Sequence, residues 1–302
     1  MAQPRVSTRP LDALGVGGLL ACCAIWGVNQ VAMKIANEGI SPVFQAGLRS
    51  VLVAILVLLW ALTRGIPLFA RDGTLWAGIA AGLAFTANFL FIGPGLALTE
   101  ASRGVLFLYT APFFVAAGAH FLIPGDRLTR LKAAGLLLAF IGLTVSVVDN
   151  LGTGRPASLL GDLYCLVAGF AWAVTTLIVR ATRLRDVAPE RNLFYELVVS
   201  APLLFFAAWW YGEPGITNPS PAILAWFAYS VVVVVFFSYT LWFWLLNRYP
   251  ASQVSVFTFL APIFAVIAGH LLLGEPVTMA LAVALALVAF GIYLVSKPAR
   301  AT

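Results

Sequence analysis

Two stretches of the chain read as variants of one another: ASRGVLFLYTAPFFVAAGAH (residues 101–120) and ASQVSVFTFLAPIFAVIAGH (residues 251–270). Ala101-Ser102 returns as Ala251-Ser252, Ala111-Pro112 as Ala261-Pro262 and His120 as His270, all at an offset of 150 residues. With one residue fewer in the second copy, Gly125-Asp126 falls on Gly274-Glu275, Thr129 on Thr278 and Gly142 on Gly291. Upstream, Trp26 matches Trp172, Lys34 matches Arg180, Pro42 matches Pro189 and Arg49 matches Glu196, at offsets of 146 and 147. Short loop insertions produce that drift. An ordered series of this kind is the signature of an internal repeat, and it governs how the rest of the chain is read.

The composition says what is being repeated. Of 302 residues, 62% are hydrophobic and 10% charged, whereas a soluble domain carries about 25% charged residues. This excludes an ordinary soluble enzyme, a disordered chain and a disulfide-stapled secreted domain. A helix needs about 20 apolar residues to cross a hydrocarbon core about 30 Å thick. Ten runs qualify, near 13–35, 42–63, 74–98, 102–123, 130–148, 158–181, 190–211, 222–246, 252–273 and 278–296. They are continuous and rich in Leu and Ala, not alternating over about ten residues as barrel strands are. The fold class is therefore all-α integral membrane, with ten transmembrane helices. Arg5 and Arg9 precede the first run as they do in a leader peptide, but the run continues to Ala36, which fits a first span.

Basic residues orient the chain. Fourteen Lys and Arg fall on the side of the N-tail, the connections after spans 2, 4, 6 and 8, and the C-tail, against Lys34, Arg103 and Arg155 on the other. By the positive-inside rule both termini are cytoplasmic, and the net charge of +6 is a membrane rim, with no nucleic-acid partner implied. The organisation reads as an N-tail (1–12), a first five-helix repeat (13–148), a periplasmic linker (149–157), a second five-helix repeat (158–296) and a C-tail (297–302). Five is odd, so the second copy enters the membrane from the opposite side. Inverted-topology repeats are an architecture of secondary transporters, with substrate near the midplane between them.

The same residues carry a family resemblance. Two five-helix halves, each with Ala-Ser and Ala-Pro nine residues apart on its fourth span and a Gly-acid pair after it, resemble the drug/metabolite transporter superfamily, EamA type. Trp26-Gly27 and Arg49 resemble that pattern too, and the likeness covers residues 11 to 297. Length, span count and short loops are most similar to the YddG-type amino-acid exporters. The resemblance implies a bacterial inner-membrane exporter of aromatic and other small neutral amino acids, with small-molecule substrate and lipid bilayer as its partners. Asp126 stands where that family more often has Glu.

The spans themselves name candidate pathway residues, since polar groups inside a membrane face the bundle interior or a wet cavity. Trp26, Asn29, Gln30 and Met33 share one face of span 1, and Trp172, Thr175, Thr176 and Val179 the matching face of span 6. Phe85, Asn88 and Phe89 on span 3, Tyr109 and Thr110 on span 4, Ser238, Tyr239 and Trp242 on span 8, and Ser255, Thr258 and Phe259 on span 9 complete the set. Together they read as a cavity with few hydrogen-bonding groups amid aromatic walls, or as helix-to-helix ties. Arg49 and Glu196, each about 10 Å deep at 1.5 Å per residue, bear on substrate charges, or else Arg49 snorkels outward and Glu196 caps a helix. His120 and His270 fall near opposite faces, too far apart for a proton relay. Pro112 and Pro262 mark bends or hinges in spans 4 and 9, and Gly93-Pro94-Gly95 predicts a bend in the outer part of span 3. No phosphate-cradling G-x-x-x-x-G-K-[ST] loop and no metal-spaced cysteines occur, so no cofactor is expected. A nucleotide-sugar or drug carrier is the alternative transporter, although basic clusters for a diphosphate are missing from the spans. A membrane enzyme would need a Ser/His/Asp set at one face, and none is found.

Overall fold

A computed structural model describes residues 10–99, 101–148, 158–273 and 279–297. Apart from one isolated pairing of Ile40 with Ile216, the described residues contain no strand. The helices are α1 Ala13–Ala36, α2 Pro42–Arg64, α3 Leu75–Leu98, α4 Ala101–Leu108, α5 Ala111–Leu122, α6 Arg130–Val148 and α7 Leu159–Ala181. They continue as α8 Pro189–Trp210, α9 Pro221–Tyr229, α10 Tyr239–Arg248, α11 Ala251–Val256, α12 Leu260–Leu273 and α13 Met279–Ser296. A π-helix, Ser230–Ser238, joins α9 to α10, and a 3-10 turn, Phe257–Phe259, joins α11 to α12. Among the described residues nine stretches are long and apolar enough to cross a membrane. The tenth expected span is α6, 19 residues long with Arg130 and Lys132 in its first turn.

Helix ends follow ordinary capping chemistry. Asp12 accepts a hydrogen bond from the Gly15 N–H at 2.8 Å, and Ser158 and Ser220 do the same for α7 and α9. Pro42, Pro189 and Pro221 stand in the first turns of their helices, where a missing N–H costs nothing. Gly65, at φ 65°, ends α2 in the left-handed region.

The exterior is apolar. Phe121, Trp76, Trp209 and Leu271 are each more than 70% exposed, a surface that belongs in lipid. The interior pairs helices from the two halves: α6 with α13, α3 with α7, α2 with α8, and α1 with α12. The α6–α13 contact depends on small residues. A Cβ on Gly135 would come 2.6 Å from the Gly291 carbonyl oxygen, and one on Gly291 would come 2.7 Å from the Ala139 nitrogen. Such backbone proximity is how helices associate where lipid supplies no hydrophobic drive.

Bonds between helix ends fall into two separate sets. At one rim Tyr249 donates to Asp12 at 2.7 Å, Arg191 pairs with Asp72, and Asp126 receives Lys132 Nζ at 2.7 Å and the Ser252 N–H at 2.9 Å. At the other, the Val43 and Phe44 N–H groups donate to Glu213, and Thr99 and Arg103 donate to Asp162.

The proline-bearing spans differ in regularity. Span 4 breaks at Tyr109-Thr110, so Pro112 sits in the first turn of α5, and span 9 breaks at the 3-10 turn just before Pro262. Span 3, by contrast, stays helical through Pro94 to Leu98. The irregular partner is span 8, where the π-helix lies. The linker 149–157 and the tail residues 1–9 and 298–302 are outside the described residues, as is Glu275.

Candidate functional site

The site starts from the two tryptophans that the repeat equates. Trp26 on α1 and Trp172 on α7 meet edge to face, ring centroids 6.0 Å apart. Tyr239 lies 5.9 Å from Trp26 and 6.0 Å from Trp172, and Trp242 lies 5.1 Å and 6.2 Å from them. Phe85 stands on Tyr239 from α3, at 6.2 Å. Edge-to-face packing of this kind is favourable beyond the area it buries.

Beside this cluster is a cavity lined by Trp172, Thr175, Thr176, Glu196, Tyr239, Trp242 and Phe243. It holds about 10 Å³, room for one water molecule at most. Thr175 and Thr176 turn their hydroxyl protons back onto the carbonyls of Ala171 and Trp172, leaving oxygen lone pairs to the cavity. Glu196 is 1% exposed, its Oε1 has no hydrogen-bond partner, and no ion pair among the described residues reaches it. The alternative in which it caps a neighbouring helix has no hydrogen bond behind it among the described residues.

Arg49, the repeat counterpart of Glu196, is 4% exposed and so does not snorkel outward. Its Nη1 donates to the Ser230 hydroxyl at 3.1 Å and its guanidinium lies 5.1 Å from the Phe89 ring centroid. Tyr239 is within electrostatic reach of both Arg49 and Glu196.

The π-helix sets this geometry. Ser230, at its start, receives Arg49, and Ser238, at its end, receives the Trp26 indole N–H at 2.8 Å. The wider turn brings both serines to bear on the cluster, in keeping with the frequent occurrence of π-turns at functional sites. Sequence reading missed Ser230 and Phe243. The available signal was the run Val231–Val235, five β-branched residues that crowd a regular helix.

Other expected residues fall elsewhere. Asn88 donates to the Ala168 carbonyl at 2.8 Å and ties α3 to α7. Asn29 donates to Met33 Sδ, and Gln30 is exposed, outside the cavity. Ser255 donates to the Ser252 carbonyl, while Phe259 packs on Phe113 and Phe140, away from the cavity. Tyr109 is half-buried, close to Tyr239 and Cys23. His120 accepts the Leu128 N–H at 3.2 Å and so fastens a loop.

These features define a multi-pass helical membrane protein with a small, aromatic-walled, acidic cavity in its interior. The chain belongs to the EamA-like transporter family of the drug/metabolite transporter superfamily, whose profile matches residues 13–148 and again residues 159–297. It is 28% identical over 286 residues to a "Probable amino-acid metabolite efflux pump" of Salmonella typhimurium, covering 91% of this chain and 92% of that one. It is 23% identical to the "Uncharacterized transporter YoaV" of Bacillus subtilis, covering 92% and 94%. A crystal structure 19% identical in sequence superposes with a TM-score of 0.81 over 94% of this chain and 96% of the other, a shared fold.

Proposed function

We propose that this protein exports small amino acids, aromatic and neutral ones, from the bacterial cytoplasm by alternating access between two inverted five-helix repeats, residues 13–148 and 158–296. The observation that carries the reading is Glu196: a buried carboxylate whose Oε1 has no hydrogen-bond partner among the described residues, in a cavity walled by Trp172, Trp242 and Tyr239. An ammonium group satisfies that carboxylate and is attracted to the ring faces. The twofold family match and the meeting of Trp26 with its repeat equivalent Trp172 support the repeat. The efflux-pump name of the Salmonella relative supports the substrate class and direction. The basic bias of one rim supports an inner-membrane protein with both termini in the cytoplasm.

Comparing repeat equivalents supports a conformation closed on the N-terminal rim. Every residue of α11 is buried, whereas from Arg103 to Leu108 in α4 only Gly104 is. Pro112 and Pro262, next to the breaks in spans 4 and 9, are where the two halves bend in opposite phases. The test is counterflow of a labelled amino-acid panel in proteoliposomes, with Arg49→Leu as a probe of its role. Exchange of phenylalanine and its reduction in Arg49→Leu are expected, and unchanged exchange in that variant removes Arg49 from the mechanism.

A further inference from the structure

We propose that Glu196 is a shared site for a proton and for the ammonium group of the substrate, and that the cavity needs no carboxylate on what it carries. The proposal rests on the export reading above and adds to it a coupling and a substrate chemistry.

Three observations meet at this residue. First, Glu196 is 1% exposed, lines the cavity and has no partner at Oε1. An ionised carboxylate is costly in such surroundings unless something compensates it. Either a proton on the carboxylate or an ammonium beside it removes that cost, and both cannot occupy the oxygen together.

Second, the surrounding charges leave this position to an exchangeable cation. Arg49 on α2 is held by Ser230 and Phe89. Tyr239 on α10 contributes a neutral phenol. Arg180, one turn beyond Thr176 on α7, is within reach of Asp126, Arg185 and Asp186 instead. On α3, also packed against α8, Asn88 is committed to the Ala168 carbonyl.

Third, among the described residues the lining contains an anion and no cation. A substrate carboxylate finds no charged partner in it, whereas an ammonium finds Glu196 and three indole or phenol rings, the chemistry of an aromatic cage. The cavity holds only about 10 Å³ in this closed conformation, so a substrate enters when the halves open, and a primary amine with an aromatic body then meets the same groups as the corresponding amino acid does.

The cycle balances. The ammonium arrives from the cytoplasm as the Glu196 proton leaves, and the substrate departs outward as a proton from the outer solution returns to the same carboxylate. One ammonium moves out for each proton that moves in.

Counterflow of labelled L-phenylalanine and phenethylamine in proteoliposomes, with proton release on ligand addition to lightly buffered purified protein, tests this. Both probes are expected to exchange, and each to release about one proton per molecule bound. Glu196→Gln, checked for folding by its elution profile, is expected to lose the proton release, and Glu196→Asp to regain it. Phenylalanine exchange without proton release, or release that persists in Glu196→Gln, overturns the shared site and leaves the export reading standing. Exchange of phenylalanine but not phenethylamine overturns the carboxylate-free specificity. No exchange of either probe or of any amino acid overturns both readings.

Discussion

Asp126→Asn offers the sharpest quantitative check on the packing of the two halves. Asp126 belongs to the first half, yet its carboxylate accepts the Ser252 N–H at 2.9 Å, the Ser252 hydroxyl and Lys132 Nζ at 2.7 Å. Lys132 also donates to the Ser252 hydroxyl at 2.9 Å. The Asp126 side chain is wholly buried and that of Lys132 is 12% exposed. Two unit charges at that separation attract by about 6 kcal/mol at an effective dielectric near 20, and desolvation offsets much of it. Removing one partner of a buried pair costs about 3–5 kcal/mol. Lys132 retains a route to water, so the lower end, about 3 kcal/mol, is expected. The assay is reversible unfolding in mixed micelles for Asp126→Asn, Ser252→Ala, whose hydroxyl reaches Asp126 from the second half, and the double variant. A coupling above about 1.5 kcal/mol is expected, whereas additivity within about 0.5 kcal/mol refutes the linkage. With Val254 wholly buried on α11, Val254→Cys should resist a water-soluble maleimide and gain reactivity when Asp126→Asn is added.

Two further outcomes follow from the close approaches and the rim charges. A Cβ on Gly27 would stand 2.6 Å from the Phe264 carbonyl carbon and 2.7 Å from the Ala265 nitrogen, so Gly27→Ala should destabilise by about 1–3 kcal/mol. Gly17, on the same helix with open space around it, should accept Ala at no cost, as melting in detergent will show. The Arg191 guanidinium and the Thr74 hydroxyl hold the Asp72 carboxyl below the usual carboxylate range. A depressed folded value adds stability above the unfolded one and loses it as pH falls. The melting difference between wild type and Asp72→Asn should therefore hold from pH 8 to 5 and shrink below about pH 4.

The membrane-crossing stretches were legible because lipid-facing and core-facing positions are both apolar, which leaves long unbroken runs. The same uniformity hides which face is which. Trp26 and Trp172 emerged because the repeat equates them, and the structure brings them together. Asn88 looked like a cavity group, yet the Ala168 carbonyl that takes it lies 80 residues away. Ser230 carried only the indirect mark of the valine run after it, since its partner Arg49 is 181 residues distant. Asp126 and Ser252 were both visible as repeat members. That they bond to each other depends on how the halves dock, which neither stretch encodes alone.

The central claim is that the aromatic cavity with Glu196 carries amino acids across the membrane. Counterflow in proteoliposomes loaded with unlabelled L-phenylalanine measures it most directly. Saturable uptake of the labelled compound by the wild type, strongly reduced when Trp172→Ala opens the cavity wall, is the result expected. Empty and protein-loaded vesicles that behave alike across all twenty amino acids would contradict it.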